Sequence, residues 1–273
     1  MPTADGLPHR SLVVRSTSRA EDMGYLAMAD VATATGALDA EYRLIGGHMV
    51  SHLVYAYAVE GVPGRETADA DLGAPGEVVG DPRLVEQLTN MTYRQVSGNR
   101  FERDLSQAER YASEEVDTGP RPVIDLLVPS GTAFHLPNHQ VGGLVVDAIP
   151  GLMLALSAAP VELTVTATLT TGAELTTGVA IPSPKAALCL KLLSYASRHE
   201  NKDVIDIWRL LAVCRAAGVS PDDWRTAGSQ GDALEVLDSL GSMRSKTLQA
   251  ALPDQRTRAT VVALRNMVAP KLS

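Results

Sequence analysis

Two aspartates, Asp69 and Asp71, stand two residues apart in the stretch Arg65-Glu66-Thr67-Ala68-Asp69-Ala70-Asp71-Leu72. On a strand, residues at i and i+2 project from one face, so both carboxylates can share a divalent cation. Upstream, residues 42–45 read as a strand that ends at Gly46-Gly47 and opens into a helix expected over residues 48–60. A helix N-terminus reached through glycines presents free N–H groups and the positive end of the dipole, where a phosphate chain can lie. Metal-binding carboxylates beside an anion-binding turn are the parts of a phosphoryl-transfer site.

Spacing alone does not establish this. With 32 acids in 273 residues, chance supplies about four acid-x-acid pairs, and the chain holds Asp39/Glu41, Asp69/Asp71, Glu102/Asp104 and Glu115/Asp117. Asp69/Asp71 differs from the others in its setting, after strand, Gly-Gly and helix, with the polar Arg65 and Thr67 leading in. A further carboxylate, Asp125, interrupts the apolar run of residues 122–128. A charge in such a run is unfavourable unless paired or metal-bound. Either Asp125 is an edge-strand residue satisfied by a loop amide, or it is a third metal carboxylate beside Asp69 and Asp71.

The second cluster lies in helical sequence. Lys191, Ser194 and Arg198 fall at i, i+3 and i+7, on one helical face, while Asp203 and Asp206 are one turn apart and Lys202 can reach Asp206 at i+4. One reading is a solvated face of weak ion pairs. The other is that Lys191 and Arg198 neutralise a triphosphate while Asp203 or Asp206 holds a lysine or a substrate hydroxyl.

The elements that must position these residues form an α/β (α+β) pattern. Residues 1–18 read as an irregular arm and residues 19–38 as a helix capped by Ser18. A helix follows Asp81-Pro82 through about residue 91. Residues 93–118 are mixed, with a strand near 100–105. Residues 130–140 read as a loop, with strands at 141–149, 161–169 and 172–181. Gly142-Gly143 reads as a bulge. After Pro182-Ser183-Pro184 the chain becomes helical, over about 185–197, 201–217, 222–227, 233–251 and 256–268. Two domains are therefore expected, a mixed-sheet domain over 1–182 and a helical domain over 183–273.

Composition narrows the function. The net charge of −8 and the 4% aromatic content argue against a surface built to stack single-stranded bases and restrict any nucleic-acid contact to a local basic patch. With no apolar run of membrane length and no leader pattern, a cytoplasmic location is expected. Cys189 and Cys214 have no partnering motif and read as reduced core thiols. The histidine pairs His48/His52 and His135/His139 lack the glutamate of a zinc-protease helix, and the second pair falls in the expected loop. No Walker loop, dinucleotide fingerprint or Gly-x-Ser-x-Gly elbow is present.

Gly46-Gly47, a helix, Arg65-x-Thr67-x-Asp69-x-Asp71-Leu72, a strand with Asp125, and Lys191 through Arg198 to Lys202-Asp203-x-x-Asp206 together resemble the AbiEii/MenT-type toxin nucleotidyltransferases, over residues 42–211. These belong to the DNA-polymerase-β-like nucleotidyltransferase superfamily. The resemblance implies a mixed sheet with helices and two Mg²⁺ ions, or Mn²⁺ in their place, held by Asp69 and Asp71 with Asp125 as candidate third ligand or proton acceptor. It implies a toxin that adds NMP from an NTP to the 3′ end of tRNA or another acceptor, opposed by a cognate antitoxin. Gly46 and Gly47 would then cradle the β,γ-phosphates, Thr67 would border the nucleotide beside Arg65, Lys191 would contact the triphosphate, and Lys202, Asp203 and Asp206 would form the family's lysine-aspartate helix motif. His48-Met49 and Ala70 depart from the pattern, as does the long Gly-to-Asp spacing, which leaves the nucleotide choice open. A small-molecule-modifying nucleotidyltransferase and a non-catalytic nucleotide- or RNA-binding relative remain alternatives.

Overall fold

The computed structural model describes residues 10–110 and 119–272; Glu115/Asp117 and the first nine residues of the expected arm lie outside them. The sequence is mixed α/β with two sheets. In the smaller sheet, β1 (Ser11–Arg15) runs parallel to β9 (Val161–Thr168), which pairs antiparallel with β10 (Glu174–Ile181). The period-two pattern of β9 emerges as alternating burial, with Leu163, Val165 and Ala167 inward. β1 falls where an irregular arm was expected; Leu12 and Val14 point inward, too short a signal to outweigh the polar residues around them.

The larger sheet carries the acidic residues. Its main path is β2 (Arg43–Ile45), β3 (Asp69–Gly73), β6 (Val123–Pro129), β5 (Arg100–Glu102) and β4 (Arg94–Ser97). β6 is flanked by β3 along one side, in parallel. Along its other side β5 pairs antiparallel with residues 123–125, and β8 (Leu144–Ile149) pairs parallel with residues 127–129. Asp125 thus sits where the sheet forks. β5 is only three residues long, yet Phe101 opposite Ile124 is 2% exposed. Burying one such ring stabilises by about 2–3 kcal/mol, which anchors the strand and fixes Arg100 beside it. β7 (Leu136–Val141) pairs with β8 and places His139 on a strand, inside the expected loop. Gly142, at φ +57°, makes the β7–β8 turn where a bulge was expected.

The first helix, α1 (Arg19–Ala37), starts where expected: the Ser18 hydroxyl accepts from the Glu21 amide at 3.1 Å. It packs against β3, β6 and β10 and so bridges the two sheets. Its buried Asp22 accepts from the Thr170 amide at 2.9 Å and from the Thr170 hydroxyl, which fastens it to the turn after β9. α2 (Gly46–Ala56) begins two residues earlier and ends four residues sooner than expected. α3 (Gly76–Val79) and α4 (Pro82–Asn90) follow, the latter capped by Asp81 as read. α5 (Leu152–Ser157), too short for a periodic signal, was not foreseen.

From Pro184 the described residues are helical: α6 (Pro184–Arg198), α7 (Asn201–Ala216), α8 (Gly228–Leu240), α9 (Lys246–Ala251) and α10 (Gln255–Val268). The helix expected over 233–251 is broken after Leu240, where an added Cβ on Gly241 would meet the Leu237 carbonyl at 2.9 Å. Residues 222–227 hold only the end of a 3₁₀ turn, Pro221–Asp223. α6 and α7 pack on one another, and both touch α2. That contact brings the helical half against the carboxylate-bearing sheet. No helix among the described residues is long and apolar enough to cross a membrane.

Candidate active site

Asp69 and Asp71 lie on β3, whose alternate residues Ala70 and Leu72 are buried on the opposite face. The parallel register sets Asp71 directly opposite Asp125 on β6, so all three carboxylates project from one sheet face. One oxygen from each lies within 4.8 Å of the others. Three like charges so close oppose ionisation. Burial, then Asp69 and Asp125, raise the pKa of Asp71 to about 7, while Lys191 and Arg198 pull it down. Asp71 is half-buried and still open to the cleft at one side.

Ile45 on β2 is paired opposite Asp71, so the chain turns into α2 right beside that carboxylate. Gly46 takes φ +69°, and a Cβ there would overlap the Asp71 Oδ2 atom. Only glycine meets both demands. At Gly47 a Cβ would overlap the Thr67 hydroxyl. The N-terminus of α2 has no side-chain cap, and Gly46 and Gly47 both line the cleft. Its first N–H groups therefore remain available for an anion.

Lys191 and Arg198 on α6 face the carboxylates across a cleft of about 350 Å³. The buried Lys191 ammonium lies 2.8 Å from Asp206 Oδ2 and 3.7 Å from Asp203 Oδ1. Arg198 donates to both Asp203 oxygens, at 2.9 and 3.1 Å. Arg65, in the loop before β3, donates to Asp206, and Arg209 reaches the same carboxylate at 3.4 Å and the Ser51 hydroxyl of α2 at 3.1 Å. Asp203 and Asp206 are fully buried, where lone carboxylates are strongly disfavoured. Four cations enclose these two anions, which leaves the basic wall with surplus positive charge.

Of the residues singled out from sequence, Asp69, Asp71, Asp125, Gly46, Gly47, Arg65, Lys191, Arg198 and Lys202 all line this one cleft. Three assignments change. Thr67 sits buried behind the Gly46–Gly47 turn, its hydroxyl without a hydrogen-bond partner among the described residues, and so backs the turn and does not line the cleft. Lys202 pairs with Glu200 at 2.6 Å and does not reach Asp206; Lys191 on the neighbouring helix takes that role. Asp203 and Asp206 are enclosed by cations, so they position Lys191 and Arg198 and are closed to a substrate proton.

Other lining residues escaped the sequence reading. Arg100, directly opposite Asp125 on β5, grips both of its oxygens, with Nε at 3.0 Å and Nη2 at 2.8 Å. Asp147 on β8 is paired with Leu127 and so shares the cleft face of β6; His135 Nε2 lies 3.4 Å from it. A charge within the apolar run of residues 144–149 was the same signal that marked Asp125. His48 and His52 lie in the core, where burial lowers their pKa values to about 4 and about 3. They are neutral packing residues, His52 stacked on Tyr25 and His48 tilted against it.

No protein-family model matches the chain, and no curated protein matches it. Among solved structures, the chain is similar to an antigenic nucleotidyltransferase-like protein from Paracoccidioides brasiliensis, at 19% identity over 93% of this chain and 96% of that one, with a TM-score of 0.43. That likeness is too distant to bear on fold or activity, which rest on the geometry of the cleft.

Proposed function

We propose that this chain is a metal-dependent nucleotidyltransferase that moves NMP from an NTP to an acceptor hydroxyl with release of pyrophosphate. One observation carries the reading: a sheet-borne carboxylate triad and a lysine-arginine helix face each other across a single cleft, with an uncapped helix N-terminus between them. The donor set suits Mg²⁺ or Mn²⁺, because the triad offers hard carboxylate oxygens and Asp71 makes no hydrogen bond or ion pair within the described residues. Asp69 and Asp71 would hold the ion, with Asp125 beside them. When bound it polarises the phosphate under attack and lowers the pKa of the acceptor hydroxyl.

The protein's own groups supply the rest. Lys191 and Arg198 offset the charge of the triphosphate and of the departing pyrophosphate. The amides opening α2 receive phosphate oxygens. Asp206, clasped by Arg65 and Arg209, keeps Lys191 aimed into the cleft; Asp203 does the same for Arg198. Catalysis of this kind depends on positioning, since phosphoryl transfer asks for little covalent chemistry from the protein.

The family resemblance extends the reading to a toxin that modifies the 3′ end of tRNA in the cytoplasm and is restrained by an antitoxin protein. Its support is that most of the resembling residues, from Gly46 to Lys202, line one cleft. The test is incubation of total cellular RNA with each α-labelled NTP, with and without Mg²⁺. Label should pass to RNA only with the metal, and Asp69→Ala should abolish transfer while remaining folded. Transfer by that variant at the wild-type rate overturns the metal role.

A further inference from the structure

The carboxylate triad already contains a cation. Arg100 Nε and Nη2 make a two-pronged contact with both Asp125 oxygens, and Nη2 stands 3.9 Å from Asp69 Oδ2. This geometry is set by the backbone. Arg100 and Asp125 are cross-strand partners on β5 and β6, Asp125 and Asp71 are partners on β6 and β3, and the three residues form one row across the sheet. The Asn99 carbonyl accepts from the Leu126 amide at 2.9 Å, and Phe101 is locked in the core, so the base of Arg100 cannot drift.

A guanidinium keeps its charge at any pH a protein meets and matches a carboxylate in fork geometry. Asp125 raises its proton affinity further. A divalent ion bridging Asp125 to Asp69 or Asp71 must share a carboxylate whose two oxygens are both engaged by a like charge. Two cations on one small carboxylate repel. Three carboxylates less one guanidinium leave two negative charges, the charge of a single divalent ion.

We propose that Arg100 occupies the place of a second divalent cation, so that the triad binds one metal ion, on Asp69 and Asp71, with Asp125 held by the guanidinium. This rests on the nucleotidyltransferase reading of the cleft and departs from the two-ion arrangement common to such chemistry. Arg100 is thereby a positioning residue: it fixes Asp125 and supplies positive charge beside the triad without being exchangeable with solvent ions.

The test counts ions and needs no turnover. Mn²⁺ is titrated into the full chain and free ion is followed by electron paramagnetic resonance. Wild type should bind one Mn²⁺ at the triad. Arg100→Ala should bind two, the second within tenfold of the first in affinity, and Arg100→Ala combined with Asp125→Asn should return to one. Arg100→Met, which keeps the apolar stem, should behave like the alanine variant and replaces it if that variant does not fold. Two ions in wild type, or one ion in both Arg100 variants, overturn the inference and leave the nucleotidyltransferase reading standing. No Mn²⁺ bound by wild type or by any Arg100 variant overturns both.

Discussion

Lys191 on α6 and Asp206 on α7 lie 2.8 Å apart, the carboxylate fully enclosed and the ammonium opening into the cleft. Asp206 also receives Arg65, from 141 residues away, and Arg209. The pair therefore joins the loop before β3 to both helices that carry the basic wall.

Unequal losses are expected from its two members. Asp206→Ala strands three buried or half-buried cations and should destabilise the fold by about 3–5 kcal/mol. Lys191→Met leaves Asp206 with Arg65 and Arg209 and should lower stability by only about 1 kcal/mol while weakening NTP binding at least tenfold. Urea unfolding and calorimetric titration with a non-hydrolysable NTP separate the two. Equal stability losses would refute the division of roles.

At Gly46 the expectation is loss of function with retention of fold. An alanine must hold φ +69° and displace the Asp71 carboxylate. The backbone term is about 1–2 kcal/mol, too small to unfold a chain with this core. Gly46→Ala should keep its far-ultraviolet circular dichroism and lose at least tenfold in Mn²⁺ affinity. Unchanged metal affinity would show that the turn does not abut the triad.

Acid sensitivity should trace in part to His52. It is buried with Nδ1 unpartnered among the described residues and Nε2 3.1 Å from the Met28 sulfur, and burial lowers its pKa to about 3 from the ordinary 6.5. A depressed folded-state pKa contributes stability above the unfolded value, lost as pH falls from about 6.5 toward 3. His52→Leu should therefore reduce the stability difference between pH 7 and pH 4 by up to about 3 kcal/mol. Denaturant midpoints at both pH values check this; identical differences in wild type and variant would exclude His52 as a source.

Much of the cleft was legible from residue spacing, because strand period two aligns Asp69 with Asp71 and helical period aligns Lys191 with Arg198. Contacts between distant segments were not. Lys202 lies one turn from Asp206 and was the natural partner by spacing, yet Lys191 reaches that carboxylate from the adjacent helix and Lys202 turns to Glu200. Thr67 shares a strand-like stretch with Asp69, but the segment before β3 carries it beneath Gly47. Arg100 sits on a three-residue strand with no periodicity of its own, so only its register opposite Asp125 reveals it. Short elements failed for the same reason: β1, β7 and α5 hold five or six residues each and take their structure from their neighbours.

Paired labels decide which phosphorus is attacked. Wild-type protein is incubated with Mg²⁺, total cellular RNA and each NTP carrying label at either the α- or the γ-phosphate. Label from the α-position should be retained on the acceptor while γ-label leaves as pyrophosphate. Transfer of γ-label to the acceptor, or no transfer from any NTP, would contradict a nucleotidyltransferase.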